Sequence, residues 1–129
     1  MPKAADISVL LVDDQQSMRS LTRFALESFG VRNLLEAKSG REAIQLMETR
    51  SFSLIISDWN MDDVDGLTFL KVVRKHPRTQ TTPFIMLTGQ SDREQVKQAI
   101  DAGVNNYVIK PFDAATLRKK VEAVIGKIE

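Results

Sequence analysis

Short apolar runs recur along the chain, and several stop abruptly at polar side chains. Val9-Leu-Leu-Val12 runs into Asp13-Asp14, Phe52-Ser-Leu-Ile-Ile-Ser57 into Asp58, Phe84-Ile-Met-Leu87 into Thr88-Gly89, and Asn106-Tyr-Val-Ile109 into Lys110-Pro111. Between the runs, apolar residues fall at helical spacing. The alternation predicts strands near 7–12, 33–36, 53–57, 83–87 and 106–109, with helices near 15–29, 39–49, 66–76, 92–102 and 113–128. Strands that alternate with helices form βαβ units, so the expected class is α/β around a parallel sheet.

The punctuation agrees. Gly30 follows the first helix, Gly103 the fourth, and Pro77 stops the third just after Arg74-Lys75-His76. Ser39, Asp92 and Asp113 read as N-caps. Ser39-Gly-Arg-Glu42 also fits a capping box, in which the Glu reaches back to the cap's own backbone N–H. In the last helix Leu117, Val121, Val124, Ile125 and Ile128 share a stripe, leaving Arg118, Lys119, Glu122 and Lys127 for water. No internal repeat or long linker interrupts the 129 residues, so residues 1–129 read as one stand-alone domain without an attached output domain.

Composition narrows the function classes by exclusion. With 18 basic and 17 acidic residues the formal charge is +1, which points to neither a nucleic-acid nor a membrane partner. Cysteine is absent, which removes disulfides and thiolate metal sites. The start lacks a secretion signal, and no apolar run approaches the roughly 20 residues that span a bilayer. A cytoplasmic protein is expected.

If the apolar runs are neighbouring parallel strands, their carboxyl ends share the edge at which open α/β sheets bind ligands. That edge would gather Asp13, Asp14, Asp58, Thr88 and Lys110. Hard oxygen ligands suit a magnesium ion that keeps several waters. Asp14 and Asp58 would be direct ligands, Asp13 would hold the ion through water, and the backbone carbonyl of Asn60 would add another oxygen. An aspartate can also attack phosphorus to give an acyl phosphate, with Lys110 and the metal offsetting charge repulsion and Thr88 donating to a phosphoryl oxygen. Asp58 is the expected acceptor.

Each residue also has a plainer reading. Asp13-Asp14 fits a cap on the first helix, Lys110-Pro111 a surface turn, and Thr88 a strand-end cap. Tyr107 fits strand packing, Trp59 an exposed or half-exposed loop aromatic, and His76 a solvated helix end. Arg74-Lys75-His76 and Arg118-Lys119-Lys120 read as solvated helix faces. What favours the site is the coincidence of acidic, hydroxyl and ammonium groups at matching strand ends.

Val12-Asp13-Asp14, Ser57-Asp58-Trp59-Asn60-Met61, Leu87-Thr88-Gly89 and Ile109-Lys110-Pro111-Phe112 together resemble the signature of response-regulator receiver domains. The resemblance covers the whole chain. The tracts Ser57-Asp-Trp-Asn-Met61 and Ala114-Ala-Thr-Leu117, with Tyr107 three residues before Lys110, are most similar to the CheY-like chemotaxis members. It implies a doubly wound, flavodoxin-like sheet of five strands in the order 2-1-3-4-5, with five helices. It further implies phosphotransfer from a histidine kinase to Asp58 with magnesium, and slow self-dephosphorylation. Thr88 and Tyr107 would be the switch pair, and the face near the fourth helix, fifth strand and fifth helix would bind the flagellar motor switch. A phosphatase is a further partner, and a monomer is expected.

Three departures stand out. Four residues after the acceptor such loops usually carry proline, whereas this chain has Asp62 followed by Asp63. Gly89 replaces the alanine common after the switch threonine. Asn60 and Gln90, at the two positions that tune dephosphorylation in the family, are both neutral amides. Beside the switch reading stand a phosphorelay carrier or phosphate sink and, last, a magnesium-dependent phosphatase. Such phosphatases place a general-acid aspartate where this chain has Asn60, and an amide cannot do that job.

Overall fold

The computed structural model describes residues 3–89 and 93–128. After a single 3-10 turn at Ala4–Asp6, five strands alternate with five helices: β1 (Ser8–Val12), α1 (Gln16–Ser28), β2 (Asn33–Ala37), α2 (Gly40–Thr49), β3 (Leu54–Asp58), α3 (Gly66–Lys75), β4 (Phe84–Thr88), α4 (Arg93–Asp101), β5 (Asn106–Ile109) and α5 (Ala114–Ile125). All strand pairs are parallel, in the order β2-β1-β3-β4-β5. The expected class and strand order are both observed.

The apolar runs are unbroken because β3 and β4, buried at every position, are covered on both faces. Alternate residues divide between two cores. Val9, Leu11, Leu54, Ile56, Ile85, Leu87 and Val108 pack with Leu26 of α1 and Leu117 and Val121 of α5. Leu10, Val12, Ile55, Phe84 and Met86 pack with Met47 of α2, Phe69, Leu70 and Val73 of α3, and Ala99 of α4.

Helix ends follow their chemistry. Gly30 and Gly103 both take positive φ, the left-handed conformation that favours glycine after a helix. Ser39 and Asp113 cap α2 and α5 by accepting from the N–H groups of Glu42 and Thr116. Asp65 does the same for α3 through Thr68. The capping box is incomplete: the Glu42 carboxylate reaches the N–H of Lys38, at 3.4 Å, and not that of Ser39. The expected Asp92 cap lies outside the described residues. The last helix is shorter than its apolar stripe, since Gly126 ends it at φ 96° and Ile128 is buried beyond it.

Two further expectations are corrected. Trp59 is only 7% exposed, because it folds back onto the core beneath α2 and α3. Arg74 is not a solvated helix residue. Its guanidinium donates to the carbonyls of Gly103, Thr79, Gln80 and Thr82 and to Asn105 Oδ1, tying α3 to the loops that lead into β4 and β5.

Candidate functional site

The pairing register decides which side chains meet. Val12 pairs with Ala37 and Ser57, so Asp13 and Asp14 leave β1 level with the end of β3. Asp58 pairs with Leu87, and Thr88 with Ile109, which puts Thr88 one step and Lys110 two steps further along the same edge. Carboxylate oxygens of Asp13, Asp14 and Asp58 lie within 4.8 Å of one another. The Lys110 ammonium stands 2.7 Å from Asp58 Oδ1 and 3.7 Å from Asp13 Oδ2. The Lys110 N–H also donates to the Thr88 carbonyl at 2.7 Å, which joins the two strand ends.

Burial differs across the cluster. Asp13 and Asp58 are 0% and 4% exposed, whereas Asp14 is open to solvent. Desolvation is the main reason that both buried carboxyls sit above their ordinary range. The Gln15 N–H counters it at Asp13 and Lys110 counters it at Asp58, while neighbouring carboxylates add to the rise. Asp13 Oδ1 accepts from the Gln15 N–H at 2.9 Å, a local turn that leads the chain into α1. Asp13 Oδ2 is buried without a hydrogen-bond partner among the described residues.

An orphaned buried carboxylate oxygen facing two other carboxylates fits a hard divalent cation. The donors are all oxygens, and the open side at Asp14 leaves room for retained waters. The plain helix-cap reading of Asp13 is therefore only half the arrangement, since one oxygen serves the turn and the other faces the cluster.

The loop after Asp58 is held on several sides. The Trp59 N–H donates to the Leu87 carbonyl, and the Gly66 N–H to the Trp59 carbonyl. A Cβ at Gly66 would come 2.3 Å from the Asp58 carbonyl oxygen, so only glycine lets α3 start this close to the strand end. Asn60 is exposed. The N–H of Asp62 donates to Asp14 Oδ2 at 3.3 Å. Asp63 takes φ 70° and is gripped by the Arg41 guanidinium. Asp62 and Asp63 thus bind the loop to Asp14 and to α2, respectively.

Tyr107 stands apart from the acidic cluster. It is half-buried on β5, beside a shallow cleft shared with Val96, Lys97 and Ile100 of α4, with the Lys120 ammonium 5.3 Å from its ring centroid. A side chain at Gly89 would meet open space, so packing does not demand glycine there. Gln90 lies outside the described residues. Gly66 and Arg19, whose guanidinium donates to the Asp13 carbonyl, were not singled out from the sequence. An isolated glycine or arginine announces no such contact.

Residues 9–122 match the family model of the response regulator receiver domain. The chain is 39% identical, over 100% of both proteins, to the "Probable chemotaxis protein CheY" of Rhizobium etli. It is 34% identical to the chemotaxis protein CheY of Pseudomonas aeruginosa, over 95% of this chain and 98% of that protein. Among solved structures it resembles the receiver domain of a sensor histidine kinase of Pseudomonas aeruginosa, determined with a magnesium ion coordinated in the active site cleft. There the TM-score is 0.85 at 26% identity, covering 94% of this chain and 98% of that one. Sheet order, acidic strand ends and these matches agree, and the chain belongs to the response-regulator receiver family.

Proposed function

We propose that Asp58 is the phospho-acceptor of this receiver, that a histidine kinase is its donor, and that the resulting acyl phosphate controls binding to a chemotaxis partner at the flagellar motor switch. The observation behind this is the Asp58 carboxylate at the end of the central strand, held 2.7 Å from the Lys110 ammonium and facing Asp13 and Asp14.

Asp14, Asp58 and the Asn60 carbonyl would bind magnesium directly, with Asp13 holding it through water. Bound there, the ion supplies positive charge that makes a dianionic phosphoryl group tolerable beside a carboxylate. An Asp58 oxygen attacks phosphorus as the P–N bond to the kinase imidazole breaks, and the departing nitrogen takes up a proton. Lys110 stabilises the charge developing on the phosphoryl oxygens, a role for which its position at a buried carboxylate suits it. Thr88 then donates to a phosphoryl oxygen and draws Tyr107 inward, altering the α4–β5–α5 face. Asn60 and Gln90 would tune the loss of the phosphoryl group to water.

The chemotaxis assignment rests on the names of the relatives. A relay or sink role is the second reading, favoured by likeness to the receiver of a sensor kinase. Asp58→Asn should abolish radiolabelling by acetyl phosphate in the presence of magnesium, and retained labelling would move the acceptor elsewhere. Capture of the motor switch protein, with and without a beryllofluoride mimic of the phosphoryl group, separates the two roles. Failure to bind in either state would favour the relay.

A further inference from the structure

Arg19 is a cation in an unusual place. It sits on the first turn of α1, only 8% exposed, and its Nη1 donates to the Asp13 backbone carbonyl at 2.8 Å. Its Nε donates to Glu36 of β2 at 2.9 Å, and the other oxygen of Glu36 is taken by Arg23. Burial of a guanidinium is costly unless its donors are used. Here they are used on Glu36 and on the backbone carbonyl of a residue whose side chain belongs to the acidic cluster.

That carbonyl belongs to the peptide plane joining Asp13 to Asp14. Other anchors of the segment are the Asp13 N–H, which donates to the Ala37 carbonyl at 3.1 Å, Asp13 Oδ1, which accepts from the Gln15 N–H, and Asp14 Oδ2, which accepts from the Asp62 N–H, with the Lys110 ammonium 3.7 Å from Asp13 Oδ2. The Gln15 bond closes a turn across the peptide that follows Asp13 and limits its rotation from one side. The bond from Arg19 acts on that peptide's own oxygen, holding it on the side of α1, and so helps to set the direction in which Asp14 leaves. With the amide, Oδ1 and the carbonyl all engaged, Asp13 Oδ2 is the atom left to face Asp14 and Asp58.

We propose that Arg19, braced by Glu36, is a positioning residue for the cation site, orienting the Asp13 and Asp14 carboxylates through the peptide between them. The inference rests on the magnesium reading given above and adds a residue that touches neither the ion nor the phosphoryl group. Supports of this kind, one layer behind the ligands, typically change metal affinity by about 10–100-fold when removed.

The test is a magnesium titration of the intact protein, followed by Trp59 fluorescence and by amide resonances of the 13–15 segment, well below the unfolding temperature. Arg19→Met keeps the apolar stem and removes the donors, and should raise the magnesium Kd about tenfold. Arg19→Lys retains one donor group and should recover part of the loss. A purely structural role predicts a lower melting temperature in EDTA with the parental Kd, and that result overturns the proposal. Should the methionine variant not fold, Arg19→Lys and Arg19→Gln decide, and a parental Kd in both overturns it equally. A parent protein that shows no response by either probe would overturn the magnesium reading itself, and this inference with it.

Discussion

Asp13 is held in place at a thermodynamic cost. It is fully buried, desolvation raises its pKa, and Asp58 and Asp14 disfavour its charge further, while Lys110 lies nearer to Asp58. Such a carboxylate destabilises the metal-free fold, because the unfolded chain ionises it more easily. Asp13→Asn keeps the oxygen that accepts from Gln15 and removes the charge. We expect it to stabilise the metal-free protein by on the order of 1 kcal/mol, read as a higher urea midpoint in EDTA. It should also weaken the response to magnesium. A lower midpoint in EDTA would mean that Asp13 is needed chiefly for the fold. The same residue shows what the sequence could disclose of the site. Its place after an apolar run was plain, as were those of Asp58, Thr88 and Lys110, because a strand end followed by a charge is a local pattern. Its bond from the Gln15 N–H is of the kind the helix-cap reading expects, whereas its carbonyl's hold on Arg19 was hidden because backbone groups leave no mark in the side-chain sequence.

The same distinction holds among elements. All five strands and five helices were legible to within a few residues, since each is a contiguous apolar run or a periodic segment with its own stop signal. The ties between them were not. Arg74 looked like one cation in a solvated cluster, yet it bonds carbonyls both on the loop that follows its own helix and on the loop before β5, 29 residues away. Removing it leaves those groups to share water, and Arg74→Ala should destabilise the domain by about 2–3 kcal/mol in urea unfolding while leaving the magnesium Kd unchanged. A coupled loss of magnesium affinity would show that the α3–β4 connection reaches the site. Gly66 joins α3 to β3 in the opposite sense, by leaving space. A methyl group there would overlap the Asp58 carbonyl and crowd the Met86 sulfur. Gly66→Ala should therefore cost about 1–3 kcal/mol and, unlike Arg74→Ala, should also slow labelling of Asp58, because the peptide of this proposed acceptor must shift. Labelling at the parental rate would place the strain elsewhere.

For the whole molecule, the acidic edge sets how stability varies with pH. The Asp13 and Asp58 carboxyls hold their protons to higher pH than the ordinary value of 3.8, chiefly through desolvation. Between that value and their raised folded values, the native state binds more protons than the unfolded chain. The contribution of these two groups to metal-free stability is therefore greatest below 3.8 and is lost as pH rises through the folded values. The carboxylate that caps α5 has the opposite tendency. Asp113, whose bonds from Thr116 lower its pKa, adds stability above the ordinary value that is lost as pH falls through its folded pKa. A divalent cation at the proposed site would bind the ionised form of the cluster, so its stabilisation should grow over the range in which the metal-free contribution declines. Melting curves in EDTA and in magnesium should nearly coincide in acid and separate towards neutrality. At a hundredfold excess over Kd the separation should reach about 2.7 kcal/mol. In Asp13→Asn the gap should narrow towards neutrality, since one of the charges that both destabilises the metal-free cluster and attracts the ion is gone. A gap independent of pH, or one that widens in acid, would mean that the ion stabilises the protein somewhere other than at Asp13, Asp14 and Asp58.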